Sequence, residues 1–244
     1  MLVWGVQRDL DSLSRAPFDI LVIGGGIVGA CVARDAALRG LSVALVDRSD
    51  FGSGISWNSL KIVHGGLRSL QSLDLRQARE FVHERRAWLR IAPHLVDPLA
   101  FVVPTRGFGG ESALLMRAGL ALNDLVAADR NDGVAESRRL PRGHALSLTE
   151  LESLVPGTFD GYTGGALFYD AQLYSAERLV LSVLHDAEGA GATIANYVEA
   201  VAPLGASRST RDTIGGVIAA DFTTGARFDV RARMIINSAG SSGA

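Results

Sequence analysis

The sequence predicts an α/β fold, a parallel sheet covered by helices, and three observations predict it. An aliphatic run, Asp19-Ile-Leu-Val-Ile23, leads straight into the spacing Gly24-x-Gly26-x-x-Gly29. A helix-forming stretch, Ala30 to Arg39, follows and stops at Gly40. A second aliphatic run, Ser42-Val-Ala-Leu-Val46, then ends on Asp47. In such a strand–turn–helix unit each glycine has its own task. The first turns the backbone tightly, the second admits a pyrophosphate to the main chain, and the third packs helix close to strand. The helix start then offers N–H groups and a positive dipole end to a di-anion. Asp47 stands where an acid accepts hydrogen bonds from an adenosine ribose and repels a 2′-phosphate, which disfavours NADP. The glycine spacing alone is weak, since 28 of 244 residues are glycine. The flanking strands and the acid make it a Rossmann-like dinucleotide signature.

Composition bounds the rest. With 48% hydrophobic and 20% charged residues, the chain has the makings of one large domain or two small ones with a real core. A net charge of −2 and the lack of a basic run argue against nucleic acid. One cysteine, Cys31, excludes an internal disulfide; it sits among helical alanines and fits a reducing compartment. Arg8, Asp9 and Asp11 precede any apolar run, which is not a secretory signal, and no uncharged apolar stretch approaches the roughly 18 residues of a membrane span. A cytoplasmic protein without a metal site is expected.

Taken in order, residues 1–17 read as a short lead-in with Trp4 as an anchor, and 19–47 as the β-α-β unit. Residues 48–70 are crowded with Gly, Ser and Asn and then carry Lys61, His64 and Arg68. This stretch has no core-forming period but many small hydrogen-bonding groups, so it reads either as an ordinary polar loop or as a functional one. Residues 72–92 have helical spacing of Leu75, Ala78, Phe81, Val82, Trp88 and Leu89, with Arg85, Arg86, Glu80 and Glu84 expected on a solvated face. His83 and His94 are expected at the surface, and Pro93 closes the helix.

Phe101–Pro104 reads as a strand, 105–110 as a Gly-rich turn, and 111–129 as a helix. Its Leu114, Leu115, Ala118, Leu122 and Leu125 form one stripe expected to pack on the core. Residues 131–143 form a polar connector. Ser147-Leu-Thr-Glu150 has capping-box spacing and opens a short helix to Val155. Residues 164–169 read as a strand, and 175–188 as a helix ended by Gly189, with His185 exposed. Thr193–Val198 reads as a further parallel strand. Residues 217–220 and 226–230 flank a turn at 223–225 as a hairpin, and 234–240 form a last strand meeting a glycine turn.

Beyond this pattern the chain resembles a family. Asp47-Arg-Ser-Asp-Phe-Gly-Ser-Gly-Ile-Ser56 and Leu60-Lys-Ile-Val-His-Gly-Gly-Leu-Arg68 resemble the flavin-dependent glycerol-3-phosphate dehydrogenases, within the FAD oxidoreductases that include D-amino-acid oxidase. Matching text continues through Glu84–Val96, Phe101–Pro104, Tyr169-Asp-Ala-Gln172, Glu177–Leu179 and Ile236-Asn-Ser-Ala-Gly240, and the Lys-x-x-His-Gly-Gly-Leu-Arg string is the most specific part. The chain departs from the family at Ile55, Trp57, Leu60 and Ser69, which loses hydroxyls near the expected flavin. Family members are about twice as long, so the chain reads as an N-terminal portion or a truncated gene.

The resemblance implies a discontinuous FAD-binding domain over 1–100 and 170–244, with a small β-meander, and part of an inserted substrate domain over 101–169. It implies FAD with its diphosphate on Gly24, Gly26 and Gly29 and its ribose on Asp47. Arg48, Ser53, Ser56, Ser59 and Lys61 are further candidate contacts, with Ala200 facing adenine and Gly240 near the pyrophosphate. It implies oxidation of glycerol 3-phosphate to dihydroxyacetone phosphate, with hydride passing to flavin N5 and electrons to a quinone. His64 is the candidate base, because a group of near-neutral pKa suits removal of a hydroxyl proton. Arg68 is the candidate phosphate or oxyanion partner, because its planar fork suits that task. Membrane contact is at most peripheral, on the inner face; the oligomer stays open. Three alternatives remain: a flavin amine or 2-hydroxy-acid oxidase, a non-catalytic dinucleotide-binding fragment, and an NAD dehydrogenase that leaves 53–68 unexplained.

Overall fold

The computed structural model describes residues 6–107, 112–157, 160–205 and 215–242, without the side chains of Arg68, Gln71 and Ser242. Trp4, part of the 105–110 turn and the Arg68 side chain therefore lie outside the described residues. Along the chain the elements are α1 (Leu10–Arg15), β1 (Phe18–Ile23), α2 (Ile27–Leu38), β2 (Val43–Val46), β3 (Ile62–Val63), α3 (Leu67–Gln71), α4 (Leu75–Ile91), β4 (Val96–Thr105), α5 (Ala113–Val126), β5 (His144–Ser147), α6 (Leu148–Leu154), β6 (Gly164–Leu173), α7 (Ala176–Gly189), β7 (Thr193–Ala195), β8 (Val198–Pro203), β9 (Gly216–Asp221) and β10 (Arg227–Asn237). They divide into two units, residues 1–60 with 175–244, and residues 61–174.

The first unit holds a six-stranded sheet in the order β7-β2-β1-β10-β9-β8. β1 lies parallel to β2 on one side and to β10 on the other, so both of its ladders are internal. That explains why Leu21 and Val22 are fully buried. One face carries α2 against α7. The buried residues of α2 are Gly29, Ala30, Ala33, Ala36 and Ala37, small enough for close helix contact, and those of α7 include Leu179, Val180, Val183 and Leu184. Leu13 of α1 packs with Leu21, Val46, Val198 and Val230 in the sheet core. The lead-in is thus a capped helix, with Asp9 accepting from the Ser12 N–H at 2.9 Å.

Two strand expectations are corrected here. Thr193–Val198 is not one parallel strand: β7 ends at Ala195, Tyr197 turns with φ +57°, and Val198 starts β8. The hairpin's second strand and the final strand are one element. β10 pairs antiparallel with β9 through Arg231 and parallel with β1 from Ala232. No glycine or proline interrupts residues 227–237, so nothing local stops the strand.

The second unit is an antiparallel sheet, β3-β6-β4, with β5 also on β6. β4 and β6 pair from Val96↔Leu173 to Thr105↔Gly164, so the expected strand at 101–104 is longer on both sides. β4 carries Pro98 and Pro104 and lies at the end of that strand order, where a missing N–H is tolerated. The capping box at Ser147 and Glu150 forms in both directions. The connector after α5 is held by Asn131, whose side-chain amide exchanges bonds of 2.8 and 2.9 Å with the Leu140 N–H and carbonyl.

Two helix expectations fail. Arg85 is not on a solvated face but 3% exposed, in register with the buried Ala78, Val82 and Leu89. The α5 stripe does not pack on a core within the described residues: Leu114, Leu115 and Leu125 are exposed, and Leu120 is the buried residue of the helix. No described helix is long and apolar enough to cross a membrane.

Candidate functional site

In the first unit the glycine turn forms the strand-to-helix junction. Gly24 has φ +105°, and a Cβ there meets the Ser238 carbonyl oxygen at 2.6 Å. A Cβ on Gly29 lies 1.9 Å from the Gly24 carbonyl oxygen, so only glycine lets α2 start this close to β1. Gly26 caps α2 with extended backbone, and its own carbonyl accepts from the Ala30 N–H at 2.9 Å. The last strand arrives beside the same turn: the Ser238 N–H donates to the Ile23 carbonyl at 2.7 Å, two residues before Gly240.

Asp47 sits directly against this turn. Its Oδ2 accepts the Gly25 N–H at 2.6 Å and its Oδ1 the Ser49 N–H at 2.8 Å. Each carboxylate oxygen keeps a second lone pair for a hydroxyl donor. Ser56 reaches the same helix start, its Oγ accepting the Ile27 N–H at 2.9 Å and retaining its own hydrogen as a donor. Val198 donates to the Asp47 carbonyl at 2.8 Å, which brings the start of β8 and nearby Ala200 to this end of the sheet. Gly24, Gly26, Gly29, Asp47 and Ser56 are therefore gathered in one place. Arg48, Ser53 and Ser59 lie nearby in sequence with exposed side chains. The three glycines, the acid and the serine hydroxyl fit a bound dinucleotide: close main-chain approach at the turn, acceptors for a ribose and a donor for a phosphate oxygen.

Lys61, His64 and Arg68 belong to the second unit. Lys61 holds φ +57°, uncommon for a residue with a side chain, and its carbonyl accepts from the Leu173 N–H at 2.7 Å. The His64 side chain is 61% exposed. Both following glycines are dictated by packing under α4. A Cβ on Gly65 falls 1.9 Å from an Arg85 nitrogen; on Gly66, with φ +80°, it falls 2.9 Å from the Ala78 Cα. Arg68 is helical in α3.

Two polar residues here escaped the sequence reading. Asp170 and Arg85 are buried partners, and the Gly65 N–H donates to Asp170 Oδ1 at 2.7 Å. Arg85 could have been found from its place three residues after Val82 and four before Leu89. Asp170 stood within a matched string, and nothing local announces its partner. No group of three or more metal-ligating side chains is present among the described residues.

The chain is similar to known proteins in sequence and in fold. Glycerol-3-phosphate dehydrogenase of Synechocystis sp. is 35% identical over 237 residues, 96% of this chain and 41% of that protein. The mitochondrial glycerol-3-phosphate dehydrogenase of Homo sapiens is 39% identical over 237 residues, 93% of this chain and 31% of that protein. The chain thus spans well under half the length of these curated relatives. A solved glycerol-3-phosphate dehydrogenase from Bacillus halodurans, complexed with FAD, superposes with a TM-score of 0.67 at 24% identity, over 94% of this chain and 36% of that one, which establishes a shared fold. The model of the FAD dependent oxidoreductase family matches residues 19–244, and the chain belongs to that family.

Proposed function

We propose that the chain serves an FAD-dependent glycerol-3-phosphate dehydrogenase, oxidising the secondary alcohol of glycerol 3-phosphate to dihydroxyacetone phosphate. The observation that carries this reading is the identity of 35–39% to curated glycerol-3-phosphate dehydrogenases across nearly all of this chain. Gly24, Gly26, Gly29, Asp47 and Ser56 hold the diphosphate and adenosine ribose of FAD, with Arg48, Ser53, Ser59, Lys61, Ala200 and Gly240 as further contacts. FAD, when bound, supplies the two-electron acceptor.

The chain's own residues handle charge and protons. His64 takes the hydroxyl proton of the substrate, and its exposure leaves it open to a ligand. Arg68, four residues further on in α3, pairs with the phosphate. Electrons leave to a quinone, which places the enzyme at the inner face of a membrane by peripheral contact. The FAD-binding domain covers 1–100 and 170–244, with 101–169 in the substrate domain.

The test is anaerobic flavin bleaching by glycerol 3-phosphate, with D-amino acids and sarcosine as competitors for the assignment. Bleaching by glycerol 3-phosphate alone is expected, and His64→Gln should slow it on the order of a hundredfold. Bleaching by an amine instead moves the enzyme to another substrate class, and a near-normal His64→Gln rate removes His64 from the chemistry.

A further inference from the structure

Asp170 on β6 is 6% exposed and Arg85 on α4 is 3% exposed. Ions this deep are costly unless paired and hydrogen-bonded. One oxygen of Asp170 is fully committed: Oδ1 accepts the Gly65 N–H at 2.7 Å and an Arg85 N–H. The same Arg85 nitrogen donates to the Tyr169 carbonyl at 3.0 Å. Burial pushes the Arg85 guanidinium below its ordinary value, and Asp170 opposes that push. The other oxygen, Oδ2, is the one beside His64, 3.6 Å from its Nδ1. One carboxylate therefore grips the main chain directly after His64 and faces the imidazole itself.

We propose that Asp170 is a positioning residue for His64: its Oδ2 accepts the Nδ1–H, selects that tautomer and leaves Nε2 as the nitrogen that takes a proton. Arg85 and the Gly65 N–H aim the carboxylate. The proposal rests on His64 being the base named above. At 3.6 Å the contact is longer than a hydrogen bond. A small rotation of an exposed ring closes it, and catalytic contacts of this kind commonly tighten only around substrate. In the proton transfer the substrate O–H bond breaks, its electron pair stays on oxygen, and an Nε2–H bond forms. The resulting imidazolium keeps its Nδ1–H on Asp170.

The deciding measurement is the ¹⁵N spectrum of histidine-labelled protein, with the His64 signals assigned by their loss in His64→Gln. Neutral His64 should carry its proton on Nδ1. In Asp170→Asn the side-chain carbonyl must stay on the Gly65 N–H and Arg85, which turns the amide NH₂ toward the ring. Nδ1 must then accept, and the tautomer should invert to Nε2–H, a wrong-tautomer effect. An Nε2–H tautomer in the unaltered protein, or a tautomer indifferent to Asp170→Asn, overturns the proposal. If Asp170→Asn fails to fold, the unaltered protein's spectrum decides alone. These spectra need neither substrate nor turnover, so they judge the Asp170 contact separately from the effect of His64→Gln on flavin bleaching.

Discussion

At the scale of single residues, the glycines sort into those demanded by close approach and those that are not. Gly29 and Gly65 each leave less than 2 Å for a Cβ, but against different neighbours: a main-chain carbonyl at Gly29 and a buried guanidinium at Gly65. Gly29→Ala must push α2 off β1, and a loss of about 1–3 kcal/mol or more is expected in thermal unfolding, with weaker FAD retention. Gly65→Ala must move Arg85, which has no route to solvent at 3% exposure. It should cost a similar amount in chemical denaturation and displace His64. Gly54, with nothing near a would-be Cβ, should accept alanine with little change in either measurement. The Gly24–Gly29 pattern was legible because its spacing reports close contact directly. The need for Gly65 was not, because its neighbour comes from 20 positions along the chain.

At the scale of elements, helix faces decide the outcome. The α4 face shows how a long-range partner overrides a local pattern. Arg85 follows the period of its apolar neighbours, but its charge alone points to solvent until Asp170 is in place. On α5 the reverse holds: apolar side chains at helical spacing gain nothing without a facing surface. Leu120→Ala, at 4% exposure, should cost about 2–5 kcal/mol, whereas Leu125→Ala, at 75%, should change stability by less than about 0.5 kcal/mol in urea melts. Ser147→Ala removes the hydroxyl half of the capping box on α6, leaving Glu150 on the residue-147 N–H, and should cost about 1 kcal/mol by the same assay. That cap was readable in sequence because both partners lie within four residues.

At the scale of the molecule, each unit carries an acid clamp that ties distant segments. In residues 61–174, Asp129 takes Arg79 and Arg86 from α4. The Arg79 hydrogen bond holds its carboxyl down at about 2, with burial opposing and the Arg86 charge assisting. In the other unit, burial works against Asp221. Bonds from the Thr224 and Thr223 hydroxyls, the Thr223 N–H and Arg8 nevertheless hold it well below the usual carboxylate range. A depressed carboxyl stabilises the fold above its unfolded pKa, and that contribution is lost as pH falls through the folded value. Stability should therefore decline from about pH 4 toward pH 2. Asp129→Asn should flatten that part of the decline in acid titrations followed by circular dichroism while lowering stability at pH 7.

The sequence by itself determined the glycine hinge between strand and helix, the βαβ unit and most helices. Those depend on spacing within one turn or one strand, where glycine, capping groups and apolar period act locally. It also held the family likeness, through the strings from Asp47 to Arg68. Tertiary structure alone decided that residues 227–237 are one strand serving an antiparallel and a parallel partner. It also decided that Arg85 is inside and that Asp170 stands beside His64. Each depends on groups far apart in the chain, and burial energy is settled by the surface that arrives opposite, which no short stretch of residues encodes.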